Sequence, residues 1–216
     1  MLLLKRLNVN LYLQFKKVFY SYRVEDLVRD HLQKSIDTKN KIINESTKII
    51  VEAGLALATA LKKENKILLC GNGGSAADAQ HIAAELVVRY KGGNERKALP
   101  AMTLSPDPST ITACGNDYGY DELFSRSVEA FGNKGDALIA ISTSGNSANV
   151  IKAVEAAKKK DLLTVALLGG NGGQLKGKTD FEIIVPSGTT AHIQESHITI
   201  GHIFCRIIEK QCFNLD

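Results

Sequence analysis

Five short apolar runs, KILLC, ALPAMTL, DALIAIS, LLTVALL and FEIIVPS, recur along the chain from residue 66 onward. Each is too short for a buried helix, and all but LLTVALL, which runs into GGNGG, are followed by a stretch with helical spacing of apolar positions. Runs that are apolar at nearly every position belong to strands buried on both faces. The alternation therefore predicts an α/β fold of three layers, a five-stranded parallel sheet flanked by helices. Helices are expected over 76–90, around CGNDYGYDELF, over 148–160 and from about 190 to 211. Upstream, residues 24–61 hold no proline and one glycine, with apolar positions at Leu27, Leu32, Ile36, Ile42, Ile43, Ile49 and Ile50. That spacing predicts two helices, or one long helix with a break, closed by a polar turn at 62–65. The expected organisation is a helical segment over 24–65 forming one structural unit with an α/β domain over 66–216.

Composition narrows the class. The chain has 216 residues, 44% hydrophobic and 23% charged, as in an ordinary globular protein, and no apolar run long enough to span a bilayer. Of its 27 basic residues, five (Lys5, Arg6, Lys16, Lys17, Arg23) lie in residues 1–23 with no acid among them. The other 22 face 23 acidic residues. So nearly neutral a body has no electrostatic footprint for nucleic acid. The first segment lacks a continuous apolar stretch and a small-residue cleavage site, so it does not read as a signal peptide. It is expected to be an extension upstream of a protein that starts near Val24. Cys70, Cys114, Cys205 and Cys212 are scattered in apolar surroundings with no CxxC pair, the pattern of reduced thiols in a cytoplasmic protein.

Open α/β sheets bind ligands beyond the carboxyl ends of their strands, and three of these five runs lead into Gly/Ser/Asn-rich loops. GNGGS (71–75) and STSGNS (142–147) each precede a helix, whose free N–H groups and dipole suit an anion. Ser142, Thr143, Ser144 and Ser147 add four hydroxyls to the second loop, a donor set fit for a phosphate monoester; plain turn and N-cap chemistry is the alternative. GGQLKGKT (172–179) satisfies the P-loop pattern, but Thr179 is followed by the β-branched DFEIIVP instead of a helix, so nucleotide binding is not expected there.

His81 and Glu85 stand i and i+4 on the helix after GNGGS, so imidazole and carboxylate share a face and offer half of a zinc-like site, a surface salt bridge or cap being the alternative. The last helix carries TAHIQESHITIGHIF, with Gln194 and His202 two turns apart and offset by only ~80°. They could complete the site, and His197 is a rival ligand that spacing leaves open.

Taken together, GNGGSAADAQHIAAEL, CGNDYG, STSGNSANVIKA and HIQESHITIGH resemble the phosphoheptose isomerases, the sedoheptulose 7-phosphate isomerases of bacteria, within the sugar-isomerase (SIS) domain group. The resemblance runs from Val24 to the C-terminus. It implies a SIS-type fold and one Zn²⁺ per subunit held by His81, Glu85, Gln194 and His202. It places Asn72, Gly73, Gly74, Asn116, Asp117, Ser142, Thr143, Ser144, Ser147 and Gln194 around the sugar phosphate, with Ser75, Glu85 and Arg89 as further contacts. It also implies a cytoplasmic homotetramer with active sites between subunits, and a product that enters nucleotide-activated heptose synthesis for lipopolysaccharide core or capsule. Some relatives carry an acidic residue where Ala191 stands.

The reaction implied interconverts sedoheptulose 7-phosphate and D-glycero-D-manno-heptose 7-phosphate through an enediol(ate). It needs a base over carbon, an acid for the oxygens and a charge stabiliser. Glu85 is assigned as base and His202 as acid. Two rivals are a SIS-domain scaffold that associates with the replication initiator and a sugar-phosphate-sensing regulatory module. The retained His81/Glu85/Gln194/His202 set argues against the first, and the lack of a DNA-binding domain against the second.

Overall fold

The computed structural model describes residues 2–104 and 107–215, with side chains from Arg23 onward. The expected upstream extension at residues 1–23 therefore falls almost entirely outside the described side chains. The chain divides into two compact units, residues 1–40 and 41–216. The first is the N-terminal part of one continuous helix, α1 (Leu2–Lys62), which corrects the expectation of two helices or a broken one. Nothing from 24 to 61 interrupts its hydrogen-bond ladder: there is no proline, and the one glycine, Gly54, is a packing position. A Cβ there would stand 2.7 Å from Ile207 Cδ1. Within the first unit, ladder pairs at i and i+4 (Lys34–Asp30 at 2.7 Å, Gln33–Asp37 at 2.9 Å) line the exposed surface. Val24, Leu27, Val28, Leu32 and Ile36 remain exposed.

The second unit holds all five expected strands: β1 (Ile67–Gly71), β2 (Ala101–Thr103), β3 (Ala137–Ser142), β4 (Leu163–Gly169) and β5 (Phe181–Val185). All pair in parallel, in the order β2-β1-β3-β4-β5. The helices are α2 (Gly74–Val87), α3 (Pro108–Asp117), α4 (Leu123–Phe131), α5 (Ala148–Lys159) and α6 (Thr190–Phe213). Strand alternation sorts the side chains into two cores. Ile67, Leu69, Ile139, Ile141, Val165 and Leu167 pack beneath α2, α6 and the latter part of α1. Leu68, Cys70, Leu138, Ala140, Ala166 and Leu168 pack beneath α3, α4 and α5. Burial on both faces is why these strands are apolar throughout.

The strand order reverses between β1 and β3, and a ligand crevice is expected beyond the strand ends at that point. The two loops that leave β1 and β3 there are GNGGS and STSGNS.

Candidate active site

α2 and α6 lie side by side and run in the same direction. Gln194 is opposite Gly74, where a Cβ would stand 3.3 Å from its Cγ, and Gly201 is opposite Ile82. At Gly201 a Cβ would meet Ile82 Cδ1 at 2.4 Å, so any side chain there would force Ile82 to shift. One residue from each side of that contact, His81 and His202, bring Nε2 to Nε2 at 2.9 Å. Glu85 Oε1 lies 3.4 Å from His81 Nε2. The three ligand atoms all fall within 4.8 Å of one another. Tetrahedral zinc holds its ligands at ~2.0–2.1 Å, which sets neighbouring ligand atoms roughly 3.3 Å apart. Separations of 2.9 and 3.4 Å straddle that value, so nitrogen and carboxylate donors here fit such an ion.

Gln194 reaches the same helix one turn earlier. Its Nε2 donates to Asp78 Oδ1 at 2.6 Å, so the amide oxygen is the atom it could offer a metal. Asp78 is buried, and its Oδ2 has no partner among the described residues. Burial pushes its carboxyl above the ordinary value, an effect opposed by the Gln194 hydrogen bond and the charge of His81. His197, the rival ligand, is committed elsewhere: its Nε2 donates to the Leu168 carbonyl at 2.9 Å, inside the core. Burial lowers its pKa to about 4, so the ring is neutral, although the bond to Leu168 works against that shift.

The two loops leave the carboxyl ends of β1 and β3. In STSGNS the Ser142 and Ser147 hydroxyls pair at 3.1 Å, and Ser142 Oγ and Ser144 Oγ accept from the Gly145 and Asn146 N–H groups. Ser147 precedes α5 but makes no side-chain cap, so capping does not describe its hydroxyl, whereas the Ser142 and Ser144 bonds are the local turn chemistry of the alternative reading. Gly73 occupies the same place before α2, with positive φ. Ser75 is buried, and Gly73 and Gly74 are exposed. Asn72 is a strut: it exchanges hydrogen bonds with Asn149 at 2.9 and 3.0 Å and accepts from the Tyr120 hydroxyl at 2.9 Å. Asn116 and Asp117, exposed at the end of α3, bond to each other at 2.8 Å. Asp117 also lines a cleft of about 370 Å³ with Thr110, Cys114, Tyr118 and Arg126. Among the described residues no hydrogen bond joins this pair to the two loops. Arg89 pairs with Glu95 in the segment after α2.

Three further residues touch the site. Asp78 carried a signal, because Asp78, His81 and Glu85 at i, i+3 and i+7 share one face. Tyr90, whose ring centroid is 5.7 Å from that of His202, arrives by a fold of the chain after α2 and carried none. Arg96 donates to the Glu85 carbonyl at 2.8 Å and pairs with Glu209; both are buried. Burial raises the Glu209 carboxyl, but hydrogen bonds from Arg96, the Tyr90 N–H and Asn94 outweigh it and hold the group below the ordinary value.

The P-loop-like stretch is a short 3₁₀ turn (Gly173–Leu175) leading into β5. The Lys178 and Thr179 N–H groups, which a phosphate would need, donate instead to Glu182 Oε1.

A family model described as SIS domain matches residues 30–169. The phosphoheptose isomerase of Leptospira biflexa is 54% identical over 192 residues, covering 89% of this chain and 98% of that protein. The solved phosphoheptose isomerase of Neisseria gonorrhoeae is 43% identical with a TM-score of 0.81, over 87% of this chain and 99% of that one. That of Francisella tularensis is 39% identical with a TM-score of 0.82, over 86% and 97%. With the same fold and half its residues shared with such a relative, the chain belongs to the phosphoheptose isomerase family of SIS-domain proteins.

Proposed function

We propose that this isomerase converts sedoheptulose 7-phosphate to D-glycero-D-manno-heptose 7-phosphate at a zinc centre formed by His81, Glu85, Gln194 and His202. Its family makes it an isomerase of sugar phosphates. The observation that carries the finer reading is the convergence of His81, Glu85 and His202 within 4.8 Å, from two helices that share no sequence neighbourhood. The chemistry such an ion supplies is Lewis-acid polarisation of the sugar's carbonyl and hydroxyl oxygens.

The chain's own groups then have defined tasks. STSGNS binds the terminal phosphate through its hydroxyls and the free N–H groups at the start of α5, and that remote binding holds C1 and C2 in place. Glu85 takes a proton from C1 while His202 gives one to the C2 oxygen, which forms the enediol. Glu85 then returns the proton to C2, His202 accepts the C1 hydroxyl proton, and the aldehyde results. Asn72, held by Asn149 and Tyr120, ties the GNGGS wall to the phosphate loop. The product suits entry into nucleotide-activated heptose synthesis.

A homotetramer with sites between subunits is supported by apolar side chains exposed on the two site helices and just beyond, Val87, Val88 and Ile203. No helix among the described residues is long and apolar enough to cross a membrane. A cytoplasmic location fits four free cysteines, of which Cys70 and Cys205 are pushed up to about 12 by burial. A scaffold that binds the replication initiator has no use for the converging ligand set.

The test is steady-state isomerisation of sedoheptulose 7-phosphate. Glu85→Gln and His202→Ala are expected to lower kcat by about 10²-fold or more with the fold intact. Ser144→Ala is expected to act mainly on KM. Near-normal kcat in both of the first two variants would overturn the assignment of roles.

A further inference from the structure

The Arg96–Glu209 pair is the most buried ion pair among the described residues, with side-chain exposures of 1% and 3%. Apart from a local bond from Arg96 Nη1 to the Lys97 carbonyl at 3.0 Å, the guanidinium's hydrogen bonds end on the two helices that carry the site. Arg96 Nη2 donates to the Glu85 carbonyl at 2.8 Å and Nη1 to the Leu86 carbonyl at 2.9 Å; these are carbonyls at the C-terminal end of α2, which the helix itself leaves unsatisfied. Arg96 Nε donates to Glu209 Oε1 on α6 at 2.8 Å. Glu209 lies seven residues beyond His202, two turns along the same face. The same Oε1 accepts from the Tyr90 N–H at 3.0 Å, and Oε2 from Asn94 Nδ2 at 3.3 Å. Tyr90 in turn lays its ring against His202. A single guanidinium–carboxylate unit thus joins the backbone of one ligand, the helix of another and the aromatic residue beside it.

Stability alone does not call for such a pair. Desolvating two charges offsets most of their attraction, and an apolar replacement of similar volume is often as stable. What a fully hydrogen-bonded pair adds is a fixed geometry, because a planar guanidinium satisfies two helix-end carbonyls and a carboxylate in one orientation only.

We infer that the Arg96–Glu209 pair is the positioning device that sets the spacing of Glu85 on α2 against His202 on α6, and so tunes the affinity of the metal site. The inference rests on the metal-centre reading above. Arg96 and Glu209 touch no reacting atom; they act through the ligands.

The test uses the full-length protein stripped of metal and refilled with zinc in competition with a chromophoric chelator, and with cobalt(II) to read the ligand field from its visible absorption. Arg96→Lys keeps the charge and loses the fork, and Glu209→Gln keeps the shape and one acceptor oxygen. Both are expected to weaken zinc binding by about 10-fold or more, the range for partners that orient metal ligands, and to change the cobalt spectrum. Asp136→Asn is the control. It disrupts another buried ion pair, with Lys66, at the opposite end of β1 and β3, and is expected to lower Tm while leaving zinc affinity and the cobalt spectrum unchanged. Wild-type zinc affinity and an unaltered spectrum in folded Arg96→Lys and Glu209→Gln would overturn the inference and leave the metal centre standing. Failure of the wild-type protein to bind zinc would overturn the metal centre and the inference together. Should Arg96→Lys not fold, Glu209→Gln, which is isosteric, decides by the same readings.

Discussion

Glu85 and His202 reach one point from different helices, while His197, only five residues before His202, faces away into the core. The same residue type thus does opposite work on two sides of α6. His202 is half-buried and open to a ligand; His197 is locked to the Leu168 carbonyl with its Nδ1 unpartnered among the described residues. Because burial holds His197 near 4, the folded protein does not take up the proton that the unfolded chain binds near 6.5. Stability should accordingly be full above pH 6.5, fall by about 3 kcal/mol as pH drops toward 4, and lose nothing more from this group below that. Urea unfolding at about pH 7.5 and about pH 4.5 measures the loss. His197→Gln is expected to remove this part of the acid loss; an equal loss in wild type and variant would show that His197 does not contribute.

At the scale of elements, the site exists because α2 and α6 come close enough for imidazoles to meet. Gly201 makes that possible, since any Cβ there would overlap Ile82. Gly201→Val should destabilise the fold by about 1–3 kcal/mol and part the two helices. A shift of about 1 Å between His81 and His202 is enough to lower turnover by roughly 10²-fold. Gly201→Ala should lie between wild type and valine. Thermal melts beside turnover measurements check this, and a folded Gly201→Val enzyme with normal turnover would contradict it. The sequence carried the elements themselves well. β1, β3 and β4 were legible because burial on both faces leaves them almost continuously apolar, the partly buried edge strands β2 and β5 from their short apolar runs, and α2 and α6 from apolar positions at helical spacing. The unbroken α1 was not legible. The polar stretch Asp37–Lys41 resembles a break, yet nothing in it prevents the helical hydrogen bonds from continuing. Spacing raised Gln194 as a candidate beside His202, but its bond to Asp78 was not legible, since that contact is fixed by the packing of two helices. Arg96 and Glu209, 113 residues apart, left no periodic trace at all.

For the whole molecule, the exposed Val87, Val88 and Ile203 lie on or just beyond helices that carry ligands, so covering them and completing the site are one event in the proposed tetramer. Light scattering of the purified protein should return a tetramer. Val88→Asp should yield smaller species with lower turnover, because a buried unpaired carboxylate is costly at an interface. A fully active monomer would contradict intersubunit sites.

In the proposed reaction, ligands from α2 and α6 hold the zinc at which a seven-carbon sugar phosphate is isomerised. The most direct measurement is the rate of sedoheptulose 7-phosphate isomerisation before metal stripping, after it, and after zinc is restored. Activity at the start, loss of at least about 90% on stripping, and recovery with about one zinc per subunit are expected. Full activity in the stripped protein, or no isomerisation of this substrate with zinc bound, would contradict the proposed reaction.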